Sequence, residues 1–243
     1  MRPILNRIGF GADSPSAIWI AVGVILLIIV AGTVFFNERK AAQNYARTDS
    51  EWSLIVRPIT SEDHTIGDIS APIHLVVYAD FQCKYCGSFF NKTVQRLQAE
   101  YGKKIAFAFR HLPLPDQPQA EVEGEASECV YQLGGETAFW KFAHEIYSIP
   151  NFYQGIDLST LPNIAQKVGV DRDAYNACMK TGSGKERVAK DKLEGSVAGL
   201  DITPSTVLKS EHRAVIVKGN YYAQLTAAID YLLETNAQIE APQ

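Results

Sequence analysis

Two cysteines three positions apart, Cys83 and Cys86, follow a buried-strand pattern and open an amphipathic-helix pattern; this juxtaposition constrains the fold more than any other feature. The run Ile73–Tyr78 (IHLVVY) is β-branched and nearly continuous, as in a strand covered on both faces. From Cys83 to Glu100, apolar residues recur at Phe90, Val94, Leu97 and Tyr101, one stripe of a helix, and Gly102 closes it. Ile105–Phe109 (IAFAF) then reads as a second strand. Strand, helix and strand at this spacing predict a βαβ unit with a parallel pair.

Helical spacing dominates the middle of the chain, over 119–133, 137–146, 159–168, 171–180 and 185–198, with Asp171 as an N-cap and Gly169 as the stop before it. After Pro204 the character returns to strand at Thr206–Lys209 and Ala214–Lys218, and a last helix runs from Asn220 to Glu234. An α/β frame therefore encloses a helical insertion at about 115–200.

The N-terminus carries a different signal. Ala17–Phe36 is twenty positions without a charge, the length of one bilayer crossing, with Trp19 and Phe35–Phe36 at interface depth. A cleaved signal peptide has a shorter apolar core and a small-residue cleavage site. The expected organisation is an N-terminal tail (1–16), a transmembrane anchor through which the chain meets the lipid bilayer (17–36), a polar stalk (37–58) and a folded domain (59–240). Arg2 and Arg7 before the span balance Arg39, Lys40 and Arg47 after it, so flanking charge does not set the orientation.

The net charge of −4 offers no basic patch for nucleic acid, and four cysteines are too few for a disulfide-scaffolded miniprotein. At the head of a helix, unpaired N–H groups and the helix dipole favour a thiolate on Cys83; Lys84 adds positive charge nearby, and Cys86 lies one turn on, within reach to resolve a mixed disulfide. Half of a zinc site and an inert structural disulfide are the alternatives. A zinc site wants a second Cys pair or closely spaced histidines, whereas Cys129 and Cys178 are isolated and His64, His74, His111, His144 and His212 show no such spacing. The strand–CxxC–helix context is the one in which redox chemistry is expected. No metal or other cofactor is expected beyond the Cys83–Cys86 disulfide itself.

The stretch HTIGDISAPIHLVVYADFQCKYCGSFF, the later FRHLPL (109–114), ASEC ending at Cys129, the Phe139–Trp140 pair and ITP at 202–204 together resemble the DsbA-like thiol–disulfide oxidoreductases, over roughly His64 to Leu233. The resemblance implies an α/β fold, a thioredoxin-like sheet with an inserted all-helical subdomain, here preceded by one N-terminal transmembrane helix. It implies Cys83 as the attacking, more exposed thiol, Cys86 as its buried partner, and a cis peptide at Pro204 beside them, with Thr203 offering its backbone to bound peptide. It also implies a disulfide between Cys129 and Cys178. The activity implied is disulfide donation to reduced, cysteine-containing secreted proteins; with the anchor at 17–36 the expectation is a single-pass protein of the cell membrane with its catalytic domain extracytoplasmic, and a monomer, since a dimeric isomerase would need a dimerisation domain besides the anchor and stalk. A quinone-linked membrane protein of the DsbB or VKOR type would re-oxidise it. Lys84 and Tyr85 stand where relatives carry other residues that tune the thiolate, and Ile202 where glycine is frequent, so the redox direction is not carried over and a reductase or isomerase stays open. So does a non-enzymatic peptide-binding module with structural disulfides.

The remaining conspicuous residues have ordinary readings. Phe89, Phe90, Phe139, Trp140 and Phe142 fall at core spacing, and His111 and His144 read as structural. Asp80, just before the CxxC turn, either influences the thiols or bonds the turn. Asn91-Lys92-Thr93 matches a glycosylation acceptor but falls on the helix after the cysteines.

Overall fold

The β-branched run after Pro72 forms the central strand of the sheet. A computed structural model describes residues 20, 22–33 and 55–240. Two compact units divide at residues 41 and 42. Within the first, residues 22–33 are helical and their apolar side chains are exposed, Leu27 by 70%. Among the described residues no helix is long and apolar enough to cross a membrane. Positions 17–19, 21 and 34–36 of the expected span, the tail 1–16 and stalk residues 37–54 lie outside the described residues.

In the second unit the elements are β1 (His64–Ile66), β2 (Ile73–Ala79), α1 (Lys84–Ser88), α2 (Val94–Tyr101), β3 (Ile105–His111), α3 (Ala120–Ser148), α4 (Leu161–Lys167), α5 (Arg172–Thr181), α6 (Lys185–Val197), β4 (Ser205–Lys209), β5 (Ala214–Lys218) and α7 (Tyr222–Glu240). The sheet order is β1-β3-β2-β4-β5. β2 and β3 are parallel, Leu75 facing Phe107, and the remaining pairs are antiparallel. The parallel pair is the expected βαβ unit.

Alternation along the strands divides the core between the two sheet faces. Leu75, Val77, Phe107, Phe109 and Leu208 pack with the cysteine helix, the insertion and α7. Val76, Tyr78, Ala108 and Val207 pack with Val56, Leu112 and Leu200. Val56 is fully buried and Arg57 pairs with Asp191 and Glu194, so the end of the expected stalk belongs to the fold. The polar composition of 37–58 conceals this apolar end, where Ile55 and Val56 pack on the second face of the sheet.

Two local readings differ from the structure. The helix expected from Cys83 to Glu100 is broken by a π-turn at Phe89–Thr93, where the Thr93 hydroxyl donates to Asn220 Oδ1 at 2.8 Å. The helices expected at 119–133 and 137–146 are both present within α3, parted at Gly135, which adopts φ +71°. β1 is absent from the sequence reading: three residues, two of them polar, carry no strand pattern until they pair with β3. Asp171 caps α5 as expected, its carboxylate accepting from the N–H groups of Asp173 and Ala174.

Candidate active site

Cys83 is the N-cap of α1, with extended backbone, so its sulfur faces the first turn of the helix. Its Sγ accepts from the Cys86 N–H at 3.2 Å, and its carbonyl accepts from the N–H groups of Cys86 and Gly87 at 3.0 and 3.3 Å. The helix head thus offers donors to a negative sulfur, as the CxxC spacing predicts. The Cys86 thiol, donating towards Cys83, does most to hold Cys83 below the ordinary thiol range; burial opposes it, and the Thr203 side chain helps. Cys86 is completely enclosed; burial first, then the neighbouring Cys83, drives its thiol well above the ordinary range. The two sulfurs are therefore unequal, one poised to ionise and the other to keep its proton.

The expectation that Cys83 is the more exposed thiol holds by a narrow margin, since it is 3% exposed against 0% for Cys86. What distinguishes it is position, because Cys83 lines an open groove of about 360 Å³ together with Tyr85, Leu114, Tyr153, Ile202 and Thr203. Tyr85 stands 65% exposed at the rim. The Lys84 ammonium lies 5.0 Å from the centroid of the Tyr153 ring, on the rim of the same groove.

The Thr203–Pro204 peptide is cis. The Thr203 carbonyl accepts from the Cys83 thiol at 3.3 Å, while its hydroxyl donates to Asp80 Oδ2 at 3.2 Å. Asp80 is buried, and burial pushes its carboxyl up to about 7 against the pull of Thr203 and the N–H groups of Gln82 and Cys83. Tyr147 donates its hydroxyl to the Asp80 carbonyl at 3.0 Å. Behind these lies Glu123 on α3, fully enclosed, with neither carboxyl oxygen hydrogen-bonded and its carboxyl raised to about 8 by burial and by the charge of Asp80. Glu123 and Tyr147 carry no sequence signal: they sit about 40 and 60 residues beyond the cysteines, and an acid among helical residues reads as solvent-facing.

Away from the cysteines, Cys129 and Cys178 are joined by a disulfide linking α3 to α5. Beside it, Glu128 Oε1 accepts from Nε2 of both His64 and His111 at 2.7 Å. Against burial, these two bonds hold the Glu128 carboxyl far below its usual range. The trio brings three metal-ligating atoms within 4.8 Å of one another, an arrangement made by β1, β3 and α3 that linear spacing does not reveal. His111 is structural, as expected, and His144 is exposed. Phe89, Phe139 and Phe142 are buried, and Phe90 and Trp140 pack against them.

The family model described as Thioredoxin matches residues 60–231. Among curated proteins, the Na(+)/H(+) antiporter NhaA of Herminiimonas arsenicoxydans is 24% identical over 93% of this chain and 35% of its own length. The Na(+)/H(+) antiporter NhaA 1 of Salinispora arenicola is 30% identical over 63% of this chain and 22% of its own length. The chain thus spans about a third or less of these relatives, and antiport is a property of the proteins so named. Among solved structures, Wolbachia pipientis alpha-DsbA1 is similar with a TM-score of 0.63 at 23% identity, covering 79% of this chain and all of that one. Oxidised Bacillus subtilis BdbD matches with a TM-score of 0.63 at 17% identity, covering 73% and 96%. At these identities the likeness is one of fold.

Proposed function

The chain belongs to the thioredoxin family, and from that premise we propose that it is a membrane-tethered thiol–disulfide oxidoreductase that donates disulfides to reduced, cysteine-containing secreted proteins. The observation that carries the reading is the inequality of the two sulfurs. Cys83 lines the groove with its thiolate favoured, and Cys86 is sealed beneath it with its thiol favoured. A stable Cys83 thiolate is a good leaving group, so the mixed disulfide it forms with substrate is readily resolved and the reduced form is favoured.

The reaction begins with a substrate thiolate in the groove attacking Sγ of Cys83 in the Cys83–Cys86 disulfide. The sulfur–sulfur bond breaks, and its electron pair leaves on Cys86, whose enclosure demands a proton. A mixed disulfide now joins the substrate to Cys83. The substrate's second thiolate attacks its own sulfur in that bond, releasing oxidised substrate and leaving Cys83 as thiolate. The Thr203 carbonyl, beside Cys83 at the groove, is placed to align extended peptide. Tyr85 and Ile202, both exposed at the groove, give it an apolar rim suited to unfolded chain.

Tethering is supported by the uncharged run at 17–36 and by the exposed apolar helix at 22–33; an extracytoplasmic location by the Cys129–Cys178 disulfide, since structural disulfides persist in oxidising compartments. A quinone-linked membrane protein of the DsbB or VKOR type would restore the Cys83–Cys86 disulfide after each turnover. The deciding experiment is the equilibrium reduction potential of the Cys83–Cys86 pair in glutathione buffers, with the full chain in detergent. A value near roughly −120 mV supports disulfide donation; one near roughly −270 mV recasts the same site as a reductase.

A further inference from the structure

The loop after β3 carries to the groove a carboxylate that the exchange reaction leaves unused. Prolines at 113, 115 and 118 fix the backbone of this loop. The Gln117 N–H donates to the Leu114 carbonyl at 3.0 Å, closing a turn with Pro115 and Asp116 at its tip. Both ends of the loop are pinned to the cysteine segment: the Leu112 N–H donates to the Ala79 carbonyl at 2.9 Å, and the Gln119 N–H to Gln82 Oε1 at 2.8 Å. Asp116 is exposed and lines the same groove as Cys83. Among the described residues its carboxylate makes no hydrogen bond and no ion pair. Its charge is felt at the reactive centre, where burial first, and Asp116 with it, push the Asp80 carboxyl up.

The other charges lining the groove are engaged. Asp201 is matched by Lys218 Nζ at 2.6 Å, and the Lys84 ammonium lies over the Tyr153 ring. Beside Asp116 the groove offers apolar walls from Leu114, Ile202 and the exposed Tyr85. A carboxylate set among aliphatic and aromatic walls fits a long cationic side chain, whose methylene stem covers the apolar surface while its head meets the acid. We propose that Asp116 selects substrates carrying Arg or Lys next to the reacting cysteine and disfavours those carrying Asp or Glu there. The selection deepens the oxidoreductase reading and rests on it. In the first step the substrate thiolate bonds to Sγ of Cys83 as the Cys83–Cys86 bond breaks and its electron pair leaves on Cys86. That incoming thiolate shares the groove with the fixed negative charge of Asp116, which repels it. A cation beside the thiolate offsets the repulsion and keeps the substrate sulfur ionised, whereas an acid there adds a second repulsion and holds the proton on.

The test uses synthetic dithiol peptides that are identical except for Arg, Gln or Glu beside each cysteine. They are mixed with the oxidised full chain in detergent at pH 7, and the rate of their oxidation is followed. Each rate is divided by that of the same peptide with hydroxyethyl disulfide, an uncharged disulfide, which removes differences in thiolate content. In wild type the Arg peptide is expected to react about five- to tenfold faster than the Glu peptide, attraction and repulsion each contributing a few-fold at an exposed site. That ratio is expected to fall towards one in Asp116→Asn, to invert in Asp116→Lys and to shrink with added salt. A wild-type ratio near one, or a ratio that survives Asp116→Asn unchanged, overturns the inference and leaves the oxidoreductase reading intact. Should the oxidised chain leave the peptides reduced while its dithiol form reduces their disulfides with the same charge preference, the selection stands and the donor reading falls. A Cys83–Cys86 pair that exchanges with none of the peptides overturns both.

Discussion

The Thr203 carbonyl accepts a hydrogen bond from the Cys83 thiol across 120 positions of sequence, at 3.3 Å. The same residue's hydroxyl donates to Asp80, so one threonine ties the reactive sulfur to a buried acid. The three residues belong to three segments of chain: the loop after β2, the head of α1, and the turn before β4. Closure of the insertion onto the sheet is what brings them together.

The roles of the two cysteines are separable. Cys83→Ala removes the sulfur that is attacked and is expected to abolish disulfide exchange. Cys86→Ala leaves a Cys83 that can hold substrate in a mixed disulfide with no partner to release it. Gel mobility of substrate complexes under non-reducing conditions checks this, and normal turnover by either variant contradicts the mechanism.

Asp80 opposes the Cys83 thiolate with its own charge. Asp80→Asn is therefore expected to shift the ionisation of Cys83 in the acid direction, read as the pH dependence of iodoacetamide alkylation of the reduced protein. It also changes stability. Burial raises the Asp80 carboxyl from its ordinary value to about 7, so the folded state holds a proton that the unfolded state has lost. That contribution is complete below about pH 4 and disappears as pH rises to 7, on the order of a few kcal/mol in all. Urea unfolding between pH 4 and 8 should show stability falling with pH in wild type and a flatter profile in Asp80→Asn.

Arg110 carries a structural prediction. It is wholly buried on β3, and its five N–H groups all donate: to Asp63 twice, to Glu194, and to the carbonyls of Arg57 and Pro58. Replacing it with Met leaves two acids without their main partner and should cost about 3–5 kcal/mol by urea unfolding at pH 7. Adding Asp63→Asn should recover part of the loss; an additive further loss would mean that the pair is not the source.

Much of this was legible in the chain, for identifiable reasons. Strands β2 to β5 are apolar enough on both faces to read as buried runs, and Cys83 and Cys86 announce themselves by spacing after a strand. β1 did not, because His64 and Thr65 are polar and acquire strand geometry only against Phe109 and Ala108. The π-turn after α1 has no local cause in sequence; the Thr93 hydroxyl at its end bonds Asn220, 127 positions away. Buried charge was the largest omission. Arg57, Asp63, Arg110 and Asp191 each look like surface residues alone, and only the fold shows that they neutralise one another.

The disulfide between Cys129 and Cys178 closes a separation of 49 positions between α3 and α5. Cross-linking a loop of that length removes freedom from the unfolded chain worth roughly 3–4 kcal/mol. Glu128, next to Cys129 on α3, holds His64 and His111 of the sheet, so the bond ties α5 to the helix that carries this contact. Replacing both cysteines with Ala should lower stability by that order in urea, whereas reduction of the wild type under native conditions should proceed at Cys83–Cys86 first, because Cys83 lines the groove. Non-reducing peptide mass spectrometry of the protein isolated from its native cells should yield a Cys129–Cys178 peptide. Two free thiols there would remove the main support for an oxidising compartment, and with it the direction of catalysis proposed for Cys83.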